Sequence, residues 1–368
     1  TGSDNLAVLG YLKTKRGGRI ITSAYEHPAV LECFKQAESK FDVVYLKPEN
    51  GIITEEALQH ELTPDTVLVS VMHVNNETGA LNPTEKLARL THLVKGAVFH
   101  TDAVQAFMKE PFDYSKVDMA SFSAHKTHAP KGIGAVYIKN GVKVKPVLLG
   151  GGQEKGLFSG TSNVAGAAAW AKAVELTDIK AKREKVSKIF SLLKEKVEVL
   201  GGLVISPENG SPYILNAVFE GYMAENLLHY LSNEGIYVST GSACSSKHGS
   251  HVFKALGLDE HDLELRRRVD VDDLVAAILV AVALAAAGPL VGKGARVAGA
   301  EIGEFVFVFF VLILVGMRPF LQIVNESHGK NLPVSKRIVA RAEDRRADAH
   351  HRRAAADGVL IIAAHAHR

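Results

Sequence analysis

The chain has 368 residues, a net charge of +3 and 47% hydrophobic residues. That length is enough to bury a sizeable core and to divide into two domains, and the balance is that of an ordinary soluble protein. The small net charge gives no argument for direct nucleic-acid binding. The two cysteines, Cys33 and Cys244, form no disulfide framework and suit a reducing, cytoplasmic compartment.

Polar residues before an apolar periodic run predict a helix starting at Thr1, and a helix N-terminus can face a phosphate. Arg19–Ser23 reads as a strand, with a helix beginning at Pro28, a favoured first-turn residue. His27 stands at that junction, where an imidazole titrating near neutrality can lie on a cofactor ring and relay protons, or can serve as a capping or surface histidine. Asp42–Leu46 reads as another strand. Thr66–Val74 is a nearly continuous β-branched run, as expected of a strand buried on both faces of a parallel sheet. It ends in Asn75-Asn76-Glu77-Thr78-Gly79. Asn76 is placed there to bond a cofactor phenolate or a substrate carboxylate, although Asn-rich turns also follow strands without any such role.

An apolar strand from Val98 runs into Asp102. Ligands of open α/β sheets collect at the C-terminal strand edge, where a carboxylate can pair with a protonated pyridine nitrogen. Gln105, three residues on, can donate to the ring's phenolic oxygen. The next strand, Asp118 to Ser123, leads into Ser123-Ala124-His125-Lys126 and a Pro/Gly turn. A desolvated lysine loses its proton more readily and can then form a Schiff base with a carbonyl cofactor. Ser123 and His125 lie close enough to it to hold a phosphate. A lone lysine in such a loop is more often a surface residue; Asp102 upstream turns the reading toward pyridoxal phosphate (PLP). Gly134–Ile138 leads out as a strand.

Gly150–Thr161 is a glycine-rich loop whose freed amides suit an anion. Asn163 to Val199 reads as one long helical stretch with a lysine-rich solvent face, bridging to a second domain. In that domain Ile214–Phe219 and Ile236–Ser239 read as strands, with a helix from Ala224 to Asn233 between them. Cys244 sits among small polar residues, Gly241 to Ser250, as an accessible thiol whose thiolate is a nucleophile; Lys247 and His248 are near enough in sequence to stabilise it. Cys33, on an apolar helical pattern, reads as core. Leu274–Ala287 and Phe305–Val315 are apolar runs below the ~20 residues of a membrane helix. From Lys336 the chain turns rich in Arg, Ala and His, and no metal site is expected anywhere.

Three ordered motifs, His100-Thr-Asp102-Ala-Val-Gln105, Ser121-Phe-Ser123-Ala-His125-Lys126 and Gly241-Ser-Ala-Cys244, resemble the cysteine desulfurases of the NifS/IscS class, within the class V aminotransferases. The likeness runs from Thr1 to about residue 258. It implies a fold type I α/β enzyme, with a mostly parallel sheet wrapped by helices and a smaller α+β domain. The expected division is a PLP-binding large domain over 1–165, a small domain carrying the cysteine loop over 166–264, and an atypical tail over 265–368, frame-shifted, disordered or an unrelated fusion. A further N-terminal segment with a Y-x-D-x-A-A-T motif is expected to be absent.

The resemblance also implies roles. Thr1 contacts the phosphate, with Gly2 in place of the family's Glu. His27 stacks on the ring, Asn76 bonds cofactor or substrate, and Thr161 reaches the phosphate of a partner subunit in a homodimer. Phe158 stands where the family has Arg, with Lys155 nearby. Cys244 attacks the sulfur of L-cysteine and carries it as a persulfide to a protein acceptor, for iron–sulfur cluster assembly or tRNA thiolation. Arg266 is the nearest candidate for gripping the substrate carboxylate, although the family's L-R-x-S pattern is missing. The alternatives are another class V PLP enzyme, an aminotransferase or selenocysteine lyase, and an inactive PLP- or partner-binding fragment.

Overall fold

The computed structural model describes residues 1–219, 224–234, 236–239, 250–258 and 358–364. Strands β1 (Arg19–Ser23), β2 (Asp42–Leu46), β3 (Thr66–Ser70), β4 (Val98–Asp102), β5 (Met119–Ser123) and β6 (Ile133–Lys139) alternate with helices α1 (Gly2–Leu12), α2 (Pro28–Ala37), α3 (Glu55–Glu61) and α4 (Thr84–Thr91). Farther on come α5 (Val164–Leu176), α6 (Ile179–Val199), β7 (Leu203–Val204), β8 (Ala217–Val218), α7 (Ala224–Asn233), α8 (His251–Ala255) and β9 (Gly358–Ala364).

The main sheet has the order β2-β1-β3-β4-β5-β6-β9. Strands β1 to β5 pair in parallel, β6 runs antiparallel to β5, and β9 runs antiparallel along β6. This is the mostly parallel α/β sheet expected from the alternation of apolar strands and helices.

Successive strand residues point to opposite faces, and each face has its own core. Ile20, Leu68, Met119 and Val136 join Leu6, Val8 and Tyr11 of α1 and Val30 and Phe34 of α2. Their neighbours Ile21, Val69, Ala120 and Ala135 join Leu58 of α3, Leu87 of α4, Phe99 and Trp170 on the other side. Burial on both faces is why these strands read as continuous apolar runs. Close packing shows at Gly10, where an added Cβ would lie 2.6 Å from the Lys145 carbonyl oxygen.

Five elements differ from expectation. Within the tail over 265–368, expected to be atypical or disordered, Gly358–Ala364 forms β9 along β6. The β-branched run from Thr66 stops being a strand at Ser70. Beyond it, Val71 and His73 donate backbone bonds to His100 and Asp102 before the chain turns back, with Val74 bridged to Leu81. The stretch 163–199 is two helices, because Thr177 is extended and Asp178 caps α6 by accepting from the Ala181 amide. In the region 214–219 the strand is only Ala217–Val218, paired with Leu203–Val204, and Ile236–Ser239 contributes an isolated bridge at Tyr237.

Helix α6 links two cores. Val186, toward its start, packs with the large cluster, whereas Leu193 and Val197 pack with Leu231 and Ile236 in a separate small one. Among the described residues no helix is long and apolar enough to cross a membrane.

Candidate active site

The chain leaves β1 to form β2 on one side and β3 on the other, so the order reverses between β1 and β3. Crevices at such a switch point, beyond the C-terminal strand ends, are where open α/β sheets bind ligands. His27 follows β1, Asn76 follows β3, Asp102 ends β4 with Gln105 just after it, and Ser123 ends β5 with His125 and Lys126 just after it.

Asp102 pairs in register with Ser121, so the acid and the lysine turn leave adjacent strands. The Asp102 side chain is buried, with Oδ1 accepting from the Val104 amide at 2.8 Å. Among the described residues it makes no ion pair. Burial, and next the charge of Asp4, push its carboxyl up to about 7.

Lys126 lies in a 3₁₀ turn, Ala124–Thr127, closed by His128 in the left-handed region at φ 63°. Thr127 Oγ1 donates to the Ala124 carbonyl at 2.8 Å and accepts from Trp170 Nε1 at 2.9 Å, so α5 supports the turn from beneath. Burial lowers the pKa of Lys126, opposed by the attraction of Asp102. Ser123 Oγ lies 2.8 Å from His125 Nδ1.

His27 is the N-cap of α2, with Nδ1 accepting from the Ala29 amide at 3.1 Å. An accepting Nδ1 leaves the proton of the neutral ring on Nε2, and burial lowers the pKa of the ring. In the turn after β3 the two asparagines divide the work. Asn75 Oδ1 accepts from the amides of Glu77 and Thr78, both at 2.9 Å, and so builds the turn. Asn76 is buried with its Oδ1 lacking any partner among the described residues.

Of the remaining expected site residues, Thr1 lies close enough for its backbone nitrogen to act by charge on Asp102, His27 and His125, whereas Thr161 makes no contact with this edge among the described residues. Thr1 is exposed at the N-cap of α1 and makes no side-chain capping bond. Thr161 is exposed on the glycine-rich loop, while Phe158 is buried against the α1 side of the sheet. Cys244 and Arg266 lie outside the described residues, as do the apolar runs at 274–287 and 305–315.

Residue-by-residue reading missed the layer beneath the site. His100 spans three strands, with Nδ1 at 2.8 Å from Ser70 Oγ and Nε2 at 2.9 Å from Ser121 Oγ. Burial drives its pKa down to about 4, so the ring is a neutral strut. It shares a strand face with Asp102, two residues on; that spacing was the available signal. Glu26, beside His27, is fully buried; its Oε1 accepts from Ser23 Oγ at 2.5 Å and from the Met72 amide at 2.8 Å. From the C-terminal side, Ser250 Oγ reaches Glu77 Oε2 at 2.5 Å and His251 Nε2 lies 2.8 Å from the Glu26 carbonyl oxygen.

The class-V aminotransferase family model matches residues 1–259. A cysteine desulfurase of Gluconacetobacter diazotrophicus is 40% identical over 269 residues, covering 70% of this chain and 67% of that protein. A NifS/IcsS protein homolog of Lactobacillus delbrueckii is 40% identical over 277 residues, covering 71% of each. Among solved structures, a NifS-like protein superimposes with TM-score 0.67 at 35% identity, over 77% of this chain and 80% of that one. SspA in complex with cysteine superimposes with TM-score 0.60 at 34% identity, over 71% of this chain and 76% of that one. With the sheet, the strand-end residues and these likenesses in agreement, the chain belongs to the class-V aminotransferase family.

Proposed function

We propose that this protein is a PLP-dependent cysteine desulfurase, converting L-cysteine to L-alanine and passing the sulfur on as a persulfide. The observation that carries the reading is Asp102: a buried carboxylate without an ion pair among the described residues, at the end of the strand next to the one that delivers Lys126. A buried acid of this kind fits a cationic partner, and a pyridinium nitrogen is one. The unpartnered carboxamide oxygen of buried Asn76 marks a second place where a polar ligand group fits.

PLP would be held by Asp102 at the ring nitrogen, Gln105 at the phenolic oxygen, Ser123, His125 and Thr1 at the phosphate, and Lys126 at the carbonyl carbon. When bound it supplies an electron sink for charge that develops at the substrate α-carbon. Lys126, its pKa lowered by burial, takes and returns the α-proton. His27, the N-cap of α2, would cover the ring and carries its proton on Nε2. Asn76 and Arg266 orient the substrate carboxylate. The Cys244 thiolate would form the new S–S bond as the substrate C–S bond breaks, the C–S electron pair staying with the substrate β-carbon, which takes up a proton on the way to alanine. The sulfur then leaves on Cys244 for a protein acceptor in iron–sulfur cluster assembly or tRNA thiolation. The working unit is a cytoplasmic homodimer, with the exposed Thr161 loop reaching toward the phosphate of the partner subunit.

The test is an absorbance spectrum of the purified protein with PLP, before and after L-cysteine, with alanine and sulfide assayed in the same sample. A visible band that changes with cysteine, with both products appearing, is expected. A band without products would refute desulfuration for this chain, and no band would refute the cofactor assignment as well.

A further inference from the structure

Lys109 is a buried lysine that the proposed reaction leaves unused. After β4 the chain winds into helical turns. The Phe107 amide donates to the Ala103 carbonyl at 2.8 Å, and the amides of Lys109 and Glu110 donate to the Ala106 carbonyl at 2.9 Å. Met108, at φ 60°, then turns the chain left-handed. Residues four apart on such turns share a face, and Lys109 Nζ donates to Gln105 Oε1 at 3.1 Å with both side chains buried.

The far end of the segment is pinned. Glu110 accepts from Arg183 Nε at 2.9 Å and from Ser211 Oγ at 2.6 Å. Lys109 Nζ lies 6.0 Å from the ring centroid of Tyr213. The lysine is thus set in a fixed frame rather than free to follow Gln105.

A carboxamide has an accepting end and a donating end, and an ammonium can only donate. The bond to Lys109 therefore claims Oε1 of Gln105 and leaves Nε2, with its two hydrogens, for whatever lies on the other side. A phenolic oxygen that has lost its proton needs a donor. With the carboxamide reversed, Gln105 would turn an oxygen toward that oxygen.

We infer that Lys109 is a positioning residue that fixes the polarity of Gln105, so that Nε2 is the end offered to the phenolic oxygen of PLP. The inference rests on the PLP reading of the site and adds to it a residue that touches neither cofactor nor substrate. Burial, with the like charges of Lys126 and Lys182, lowers the Lys109 pKa to about 7, so the ammonium form that holds this polarity is present up to about neutral pH.

The experiment compares wild-type protein, Lys109→Met, Lys109→Arg, Gln105→Ala and the double variant Lys109→Met/Gln105→Ala, each reconstituted with PLP at pH 6.5 (about half a unit below that value). Three readouts are taken: the position of the visible band of bound PLP, PLP dissociation, and thermal melting of the apo-protein. Lys109→Met is expected to move the band in the same direction as Gln105→Ala and to weaken PLP retention about five-fold, the effect of one hydrogen bond. Lys109→Arg, still a donor, keeps the wild-type band. In the Gln105→Ala background Lys109→Met adds nothing. If Lys109→Met melts too early to be loaded, Lys109→Leu replaces it. A wild-type band in Lys109→Met, or a shift that persists without Gln105, overturns the inference while leaving the PLP site standing. A wild-type protein with no band overturns both.

Discussion

Trp170 Nε1 donates to Thr127 Oγ1 at 2.9 Å, forty-three residues apart in sequence and directly beneath the turn that carries Lys126. Trp170 also meets Phe107 edge-on at 5.9 Å, so its ring is held from two sides. Trp170→Phe keeps an aromatic ring and removes the donor, which should cost about 1 kcal/mol of stability. The same change should weaken PLP retention, because the lysine turn loses its support. Urea midpoints and the visible band of bound PLP read the two effects separately; loss of stability with unchanged PLP retention would show that the turn keeps its shape without Trp170.

Lys126→Ala removes the amine proposed to hold the cofactor carbonyl carbon. The variant should fold as the wild type does, since Lys126 is half-buried on a turn rather than in the core. The visible absorbance of bound PLP should disappear and alanine production should stop. A variant that keeps the band would place the amine elsewhere.

Cys244→Ser tests the sulfur-transfer half of the proposal by itself. The cysteine follows the cofactor-edge residues by more than a hundred positions, and its loss should leave the PLP spectrum unchanged. Persulfide on the protein and sulfide release should both vanish. Undiminished sulfide from the serine variant would show that another group receives the sulfur.

Glu26 makes stability depend on pH. Burial raises its carboxyl to about 8 from an unfolded value near 4.5, opposed by the bonds from Ser23 and Met72. Between those values the folded chain holds a proton that the unfolded chain has released. Stability therefore falls as pH rises through that window, by at most about 1.4 kcal/mol per pH unit from this group. Glu26→Gln cannot ionise, so its stability relative to wild type should climb from pH 5 to 8 (roughly the window set by the two pKa values). Parallel urea midpoints across that range would show instead that Glu26 stays charged in the fold.

The strand-end residues were readable in advance because each follows directly on an apolar run. Asp102 ends one, Ser123 ends another with Lys126 just behind, and strand ends in a parallel sheet face the same way. The same reasoning overran at 66–74, where Val71 and Val74 keep the apolar, β-branched character after the strand has ended at Ser70. It also ran through Asp178, whose capping role depends on one bond to Ala181 rather than on any change in apolar pattern. The bond of Trp170 to Thr127, forty-three residues away, had no sequence signal of its own, and for His100 and Lys109 spacing put them on the right face without naming their partners. Each depends on which side chains the fold brings within bonding distance. Composition says nothing about that.

The bond from Ser250 to Glu77 sets a length limit on the reach of residue 244, the proposed sulfur carrier. Ser250 is tied to the turn that presents Asn76, and Cys244 precedes it by six residues. Six residues of fully extended chain span at most about 22 Å. That length bounds only how far residue 244 can lie from Ser250. If Cys244 carries the sulfur as proposed, an acceptor would have to meet it within that reach of Ser250, which the bond to Glu77 anchors beside the turn of Asn76.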